Sequence, residues 1–261
     1  MYAQPAAPRS VGRVLDDSFR LYKASFAYTW PGGLVLAIVA LGFALYMGTT
    51  LGIHRTPAQA LAMTRTPAFW GGYFVTGLIS VWVYCAMIAN IIAVARGEAP
   101  KVSSGFAAAV AVLPAAIVGA IVFGLSIVVG TVLLIIPGIY VWNRLQLWIV
   151  ALMAERQGAF ASVGSSWNLV GGNWWRACIT ISVMIIVLVV IMLAIGLIGG
   201  LMTTPLHLDV GTRLIVTQCI NAVWYVFGLP LMPVALVAIY QDLKLRKEGG
   251  DLAARVGKLQ S

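Results

Sequence analysis

Residues 174–201 read WWRACITISVMIIVLVVIMLAIGLIGGL, and this stretch contains no charged side chain after Arg176. A helix needs about 20 mainly apolar residues to cross the roughly 30 Å of hydrocarbon in a bilayer, so the stretch predicts a membrane-spanning helix. The whole 261-residue chain has this character, with 61% hydrophobic residues, 10% charged residues and a mean hydropathy of +0.95. A soluble domain carries about 25% charged residues. The composition therefore excludes a soluble globular protein and predicts an integral membrane protein.

The apolar runs predict an all-α fold, a polytopic bundle of six transmembrane helices in a single domain over residues 10–240. The predicted spans are residues 31–53, 69–95, 114–136, 138–155, 174–201 and 214–240. Residues 1–9 show no periodicity and are predicted to be a disordered tail, whereas 241–261 are predicted to be a cytoplasmic amphipathic tail. Only Pro137 and Gly138 separate the third span from the fourth, so we expect a tight turn there.

The distribution of basic residues predicts the orientation of the bundle. If the N-terminus is cytoplasmic and six spans alternate, most of the 17 Lys and Arg residues fall on the inner side, as the positive-inside rule requires. We therefore expect a multi-pass protein of a bacterial-type inner membrane with both termini in the cytoplasm. A re-entrant pair over 114–155 would leave the termini on one side, so the charges do not separate it from two spans. Residues 1–30 lack a signal-peptide cleavage site and are expected to be retained.

Amphipathic segments precede several of the spans. Apolar residues recur every three or four positions from Val11 to Trp30, and we expect this helix to lie in the headgroup plane with its basic face toward the cytoplasm. Residues 18–26 align without gaps with 166–174, and a weaker copy begins at Gly105, which predicts three repeats of an interfacial helix and a transmembrane hairpin. The candidate interfacial residues are Arg13, Phe19, Arg20, Lys23, Trp167, Trp174 and Arg176. In the tail, the residues expected to rest on anionic lipid or on a partner are Asp242, Lys244, Arg246 and Glu248.

Arg144 lies inside the fourth predicted span, about six residues past the Pro137–Gly138 turn and hence roughly 9 Å from the outer end of a helix. A charge at that depth costs at least ~2.5 kcal/mol unless it is paired or reaches water. The polar residues expected at a similar depth are Asn143, Gln146, Gln218 and Asn221. We expect these side chains to meet Arg144 in an intramembrane pocket that could hold a lipid phosphate or carboxylate. A buried structural arginine, satisfied by amides and carbonyls, is the alternative interpretation.

The sequence predicts no catalytic residue, no metal site and no cofactor. Cys85, Cys178 and Cys219 lie in apolar runs without paired spacing, and His54 and His207 fall in predicted outer loops without acidic partners. A phosphate-binding glycine loop and a nucleophile elbow are both missing from the sequence. The net charge of +9 indicates topology and contact with anionic lipid rather than with nucleic acid.

Three local patterns follow one another along the chain. They are VLDDSFRLYK at 14–23, then IPGIY at 136–140 with Arg144, Glu155 and SWNLVGGNWWR at 166–176, and finally IYQDLKLRKEG at 239–249. Together they resemble the membrane-domain family named after glycerophosphoryl diester phosphodiesterase and the related YciC-like uncharacterised membrane proteins. The resemblance covers nearly the whole chain, although Asn168, Gln241 and Lys244 depart from the pattern. It implies a polytopic bundle of unknown role with a link to lipid or envelope metabolism, and no catalytic residue, since the His-Arg-Gly start of the phosphodiesterase barrel is missing.

The leading functional hypothesis is a non-enzymatic inner-membrane protein that binds or organises lipid or lipid-like molecules through the Arg144 region and the interfacial helices. The alternatives are a permease-like transport component for a small amphiphile and a structural partner of another membrane protein. The expected partners are membrane lipids, above all anionic headgroups on the cytoplasmic side, together with a membrane protein. Nucleic acid is not expected to bind.

Overall fold

The protein is a bundle of α-helices in a computed structural model that describes residues 2, 5, 7–51, 61–62, 64–203 and 209–260. Its main helices are α1 (Val11–Leu51), α2 (Pro67–Ala95), α3 (Val102–Leu133), α4 (Ile135–Leu145), α5 (Trp148–Glu155), α6 (Ala159–Val170), α7 (Trp174–Thr203), α8 (Val210–Val223) and α9 (Leu231–Gln260). A π-helical turn, Trp224–Gly228, joins α8 to the last helix. These residues contain no strand, so the predicted all-α class is confirmed.

Six helical segments are long and apolar enough to span a membrane, as the hydropathy predicted. They are Val11–Gly48, Pro67–Ala95, Val102–Leu133, Ile135–Glu155, Trp174–Leu201 and Gly211–Gly249. Aliphatic side chains on the outside of α3 and α7, such as Leu125, Val132, Leu193 and Leu197, are more than half exposed. A continuous apolar surface of this kind is stable against lipid tails rather than water. The chain is therefore a multi-pass membrane protein, and the hypothesis of three repeats stays a prediction.

Helix α1 joins the expected interfacial helix and the first span into one continuous helix, with Pro31 inside it. The buried residues that carry its packing face toward the bundle are Val14, Ser18, Leu21, Ser25 and Thr29. The hydroxyls of Ser18 and Thr29 donate to carbonyl oxygens one turn earlier in the helix, at 2.8 and 3.3 Å. Phe19 and Trp30 from the apolar stripe are instead 44% and 41% exposed. Small side chains let helices approach closely in a membrane, whereas large apolar ones gain little by leaving lipid, so Phe19 and Trp30 can face outward.

The turn between the third and fourth spans lies at Leu134 rather than at Pro137–Gly138, which corrects the prediction. Leu134 is extended, with φ −169° and ψ 149°, between the ends of α3 and α4. Pro137 lies in the first turn of α4, where its missing N–H breaks no helical hydrogen bond. A Cβ at Gly138 would lie 3.0 Å from the backbone of Thr131, so this glycine permits the close return of α4 along α3. Pro137 thus lies in the first turn of α4, and Gly138 allows α4 to pack closely against α3.

The predicted fourth span is broken at Gln146–Leu147, and the short helix α5 follows the break. Helix α5 lies at the centre of the bundle, packed against α2, α3, α6 and α9. Its buried residues are Trp148, Ile149, Val150, Ala151 and Leu152. The Trp148 ring occupies the space that a side chain at Gly119 of α3 would fill. Gln146 keeps right-handed helical angles and Leu147 has φ −87° and ψ 1°, so α4 and α5 meet at a two-residue irregularity of the backbone.

Ser166 on α6 satisfies the backbone groups that the break would otherwise leave unpaired. Its hydroxyl donates to the carbonyl oxygen of Arg144 at 2.8 Å and accepts from the N–H of Leu147 at 3.2 Å. Ser166 is fully buried. Since an unsatisfied backbone group costs several kcal/mol where water is absent, this one hydroxyl stabilises the break between α4 and α5.

The beginning of the described chain and the middle of α9 lie at the same end of the bundle. The N–H of Arg9 donates to Oδ1 of Asp242 at 2.8 Å. We call the end of the bundle that contains Arg9 and Asp242 the charged end. Tyr2, from the tail predicted to be disordered, packs against the hydrophobic core, whereas Met1, Ala3, Gln4 and Ala6 lie outside the described residues. The predicted C-terminal tail is the continuation of α9, which includes the last membrane-spanning stretch.

We expect Ser166→Ala to lower the free energy of unfolding by about 1–3 kcal/mol, because it leaves a buried carbonyl and a buried N–H without a partner. Unfolding in a mild detergent, followed by circular dichroism, measures the change. The matched control is Ser126→Ala, whose hydroxyl donates to the Val122 carbonyl at 2.7 Å within helix α3. The control should change stability by about 0.5 kcal/mol or less. Equal losses in the two variants would contradict the role assigned to Ser166.

Candidate functional site

Arg144 lies in the last turn of α4 within a cage of aromatic side chains. Its Nη1 donates to the hydroxyl of Tyr140 at 2.8 Å. Its guanidinium carbon lies 4.1 Å from the ring centroid of Trp167 and 5.4 Å from that of Tyr140. The ring of Trp174 stacks on Tyr140 with centroids 5.5 Å apart, and its indole N–H donates to the Tyr140 carbonyl. We call Tyr140, Arg144, Trp167 and Trp174 the Arg144 cage.

Most N–H donors of the Arg144 guanidinium have no hydrogen-bond partner among the described residues. A guanidinium carries five N–H donors, and the described hydrogen bonds of this one use a single donor. Nε is buried without a hydrogen-bond partner, and the ion pairs of the described residues do not include Arg144. A Cβ at Gly171 would lie 2.6 Å from Nη2, so the glycine leaves room for the guanidinium beside the α6–α7 connection. The cage therefore presents an oriented cation that can accept an anion.

The Arg144 cage adjoins the charged end of the bundle. Trp174 is followed two residues later by Arg176, whose Nε donates to Asp242 at 2.8 Å. Next to Trp167, the Asn168 carbonyl accepts from Lys247 of α9 at 3.2 Å. Two helical residues rise only about 3 Å, so the cage and these contacts share one level. The turn at Leu134 places Arg144 ten residues, or about 15 Å, along α4 instead of the expected six residues and 9 Å, and the side of the membrane on which it lies stays a prediction.

The expected meeting of Arg144 with the other polar side chains does not occur. Asn143 is buried, and both of its amide atoms lack a hydrogen-bond partner among the described residues. Gln146 is the residue after α4, at the break, and its side chain makes no hydrogen bond to Arg144 in the described contacts. Gln218 accepts from Asn221 at 3.3 Å within α8, whose main neighbours are α1, α7 and the π turn. This prediction was wrong because equal depth along two helices does not make them neighbours.

A buried carboxylate holds the charged end together. Asp242 is only 7% exposed and accepts from the Arg9 N–H at 2.8 Å, from Arg176 Nε at 2.8 Å and from Arg246 Nε at 3.0 Å. Arg176 and Arg246 also donate to the carbonyl of Arg9, whose own guanidinium pairs with Asp17 at 2.7 Å. We call these residues the Asp242 cluster. Asp242 and Arg246 were expected to rest on lipid or on a partner, and the structure instead joins them to the N-terminal segment and to α7.

A second ion pair at this end links α5 to α9. Lys244 lies 3.2 Å from the carboxylate of Glu155, which also accepts from the hydroxyl of Tyr240. Glu248, one turn further along α9, is exposed.

Burial and the neighbouring carboxylate of Asp17 raise the pKa of Tyr2 to about 12.

The basic residues of α1 stay on the surface. Arg13, Arg20 and Lys23 are exposed, as expected for a face directed toward headgroups or water. They make none of the ion pairs found among the described residues. This surface and the Arg144 cage supply positive charge without a carboxylate partner among the described residues, whereas each arginine of the Asp242 cluster has one.

Two kinds of site residue escaped the sequence analysis. Tyr140 stands four residues before Arg144, and this helical spacing was a usable signal. Gly171 and Ser166 were visible only as members of a repeat, because nothing local shows that α6 packs on the break after α4.

Among the described residues no three His, Cys, Asp or Glu side chains are placed to hold a metal ion, and His54 and His207 lie outside them. The free thiols of Cys85, Cys178 and Cys219 are respectively buried, half-buried and exposed.

Compared with known proteins, the chain matches no family model, no curated protein and no solved structure. The resemblance to the membrane-domain family therefore stays a hypothesis, and the site has to be interpreted from its own geometry.

We expect Asp242→Asn to lower the free energy of unfolding by about 2 kcal/mol or more, because two partly buried arginines lose their anionic partner. Thermal unfolding of the purified chain measures the loss. Asp16→Asn is the matched control, since Asp16 is exposed on α1 beside the paired Asp17. An Asp242→Asn protein as stable as the control would show that the cluster does not stabilise the charged end.

Proposed function

We propose that the protein is a non-enzymatic integral membrane protein that binds an anionic lipid headgroup through the Arg144 cage. The observation that carries the proposal is a guanidinium fixed between Tyr140 and Trp167 with no carboxylate partner among the described residues. A cation of this kind needs an anion or water at the membrane surface. A lipid phosphate meets that need and matches the planar fork of arginine.

The ion pairs of the other arginines at the charged end support a ligand at Arg144. Arg176 and Arg246 share the carboxylate of Asp242, and Arg9 pairs with Asp17. Each of these three arginines has a carboxylate partner, with two carboxylates for three guanidiniums, whereas Arg144 has none among the described residues. A buried Nε without a partner is costly, so an anion or water that reaches it would stabilise the cage.

The surroundings of the cage suit a headgroup. Tyr140 and Trp167 are 39% and 37% exposed, and Trp175, at the start of the apolar helix α7, is 73% exposed. Tyrosine and tryptophan are enriched where hydrocarbon meets headgroups, because their rings are apolar and their polar atoms reach water. The charged end lies on one side of the cage and lipid-facing helix on the other. We place this end on the cytoplasmic face of a bacterial-type inner membrane, in keeping with the positive-inside rule.

We expect the purified wild-type protein to retain a defined anionic lipid at fixed stoichiometry in native mass spectrometry, and Arg144→Leu to lose it. Arg144→Lys keeps the charge but loses the fork and the ring stacking, so retention should fall by about tenfold or more. The matched control is Arg65→Leu, which removes an exposed arginine just before the start of α2 and should leave retention unchanged.

Gly171→Ala tests the same site without a change of charge. The added methyl group would meet Nη2 of Arg144, so the guanidinium must move out of its cage while the fold remains. We expect weaker retention of the anionic lipid and unchanged helicity. A lipid mixture that matches the bulk membrane in the wild type and in all variants would contradict the proposal. That result would leave a structural arginine and favour a transport or scaffold role.

A further inference from the structure

A cavity of about 460 Å³ opens beside the charged end, between α2, α3 and α5. Its size is that of small-molecule sites, which range from about 300 to 1,000 Å³. Much of its wall consists of small apolar side chains, namely Ala89, Ala93, Ala108, Ala111 and Ala154. Its polar lining is formed by Asn90, Arg96, Glu98, Ser104 and Arg156. The members of the Arg144 cage do not line it, so this is a separate place on the molecule.

Asn90, which lines the cavity, carries a buried hydrogen-bond acceptor. Asn90 is 2% exposed, and its Nδ2 donates to the carbonyl of Tyr28 at 3.2 Å. A carbonyl only accepts, so this bond fixes the orientation of the amide. Oδ1 therefore points away from α1 and toward Gly105 of α3, which also lines the cavity. In the described part of the chain Oδ1 has no hydrogen-bond partner, and a ligand that donates an N–H or O–H would satisfy it.

Charges of both signs surround the mouth. Arg96, Glu98 and Arg156 are exposed, and they form none of the ion pairs found in the described residues. Arg96 donates to the carbonyl of Ala154 at 3.4 Å across the opening. Arg156 ends α5 in the left-handed region, at φ 49°, and so begins the turn of the chain at the mouth. The mouth thus offers two cations and one carboxylate to a ligand.

We propose that this cavity binds a small phosphate ester that carries a protonated amine. The phosphate interacts with Arg96 and Arg156, and the amine donates toward Oδ1 of Asn90, with Glu98 balancing its charge. Asn90 and Arg96 are six residues apart on one helix, or about 9 Å, which limits the ligand to a few bonds between its two groups. A soluble phosphorylated amine and the headgroup of an amino-phospholipid share this chemistry. The inference does not depend on the Arg144 proposal.

The test titrates the full chain, in nanodiscs of phosphatidylcholine, with phosphoethanolamine and with phosphocholine. The two probes share the phosphate, but only phosphoethanolamine has N–H donors. We expect phosphoethanolamine to bind and phosphocholine to bind about tenfold more weakly or not at all, because Oδ1 of Asn90 stays unpaired with the latter. A parallel arm replaces part of the bilayer by phosphatidylethanolamine and measures lipid retention by native mass spectrometry.

Three variants locate the binding. Arg156→Gln removes an exposed charge at the mouth and should weaken binding by about tenfold, since bonds to charged groups are the stronger ones. Ala108→Leu fills the cavity and should abolish binding. Arg213→Gln removes an exposed arginine of α8 that does not line the cavity, and it should bind as the wild type does.

Binding of the soluble probe supports a soluble ligand, and retention of the lipid alone supports a headgroup. The proposal is overturned if neither form binds above the phosphocholine control. It is also overturned if Arg156→Gln, whose exposed position leaves folding intact, binds both forms as tightly as the wild type does.

Discussion

Backbone groups exposed by a broken helix inside a membrane need partners from the protein, and the region around Arg144 is arranged by that need. Ser166 meets it with one hydroxyl that pairs the carbonyl of Arg144 and the N–H of Leu147. The next residue along α6, Trp167, lies over the guanidinium of the same arginine. Helix α6 therefore fixes both the backbone and the side chain of Arg144. The break between α4 and α5 and the orientation of the Arg144 guanidinium therefore depend on the same helix.

Arginines at the charged end are stabilised in two different ways. Those of the Asp242 cluster pair with buried carboxylates, which ties the N-terminal segment to α7 and α9. Arg144 receives aromatic faces and a phenol hydroxyl instead. Aromatic faces attract a cation without cancelling its charge. The first arrangement closes the structure, and the second leaves a charge for a ligand, which is the physical basis of the proposed lipid site.

Hydropathy predicted the helical class and the spans because burial in lipid constrains length and composition directly. It misplaced the turn at Leu134, since the proline and glycine that suggested a loop serve the first turn of α4 and its packing on α3. It also missed the break at 146–147, because the partner that makes the break stable is a serine on another helix. Asp242 and Arg176 lie 66 positions apart, and no local pattern shows that they form an ion pair. A single sequence does not show which distant residues form contacts, whereas it does show which segments are apolar enough to be buried in lipid.

The most direct test of the central claim is the distance between the Cζ of Arg144 and lipid phosphorus, measured by carbon–phosphorus dipolar recoupling NMR on the arginine-labelled protein in bilayers with anionic lipid. The difference spectrum against Arg144→Lys isolates this one guanidinium. A charge-assisted arginine–phosphate pair should place the two nuclei about 4 Å apart, and the corresponding dephasing should disappear in the variant. Identical dephasing in the two proteins would contradict the account and return Arg144 to a purely structural role.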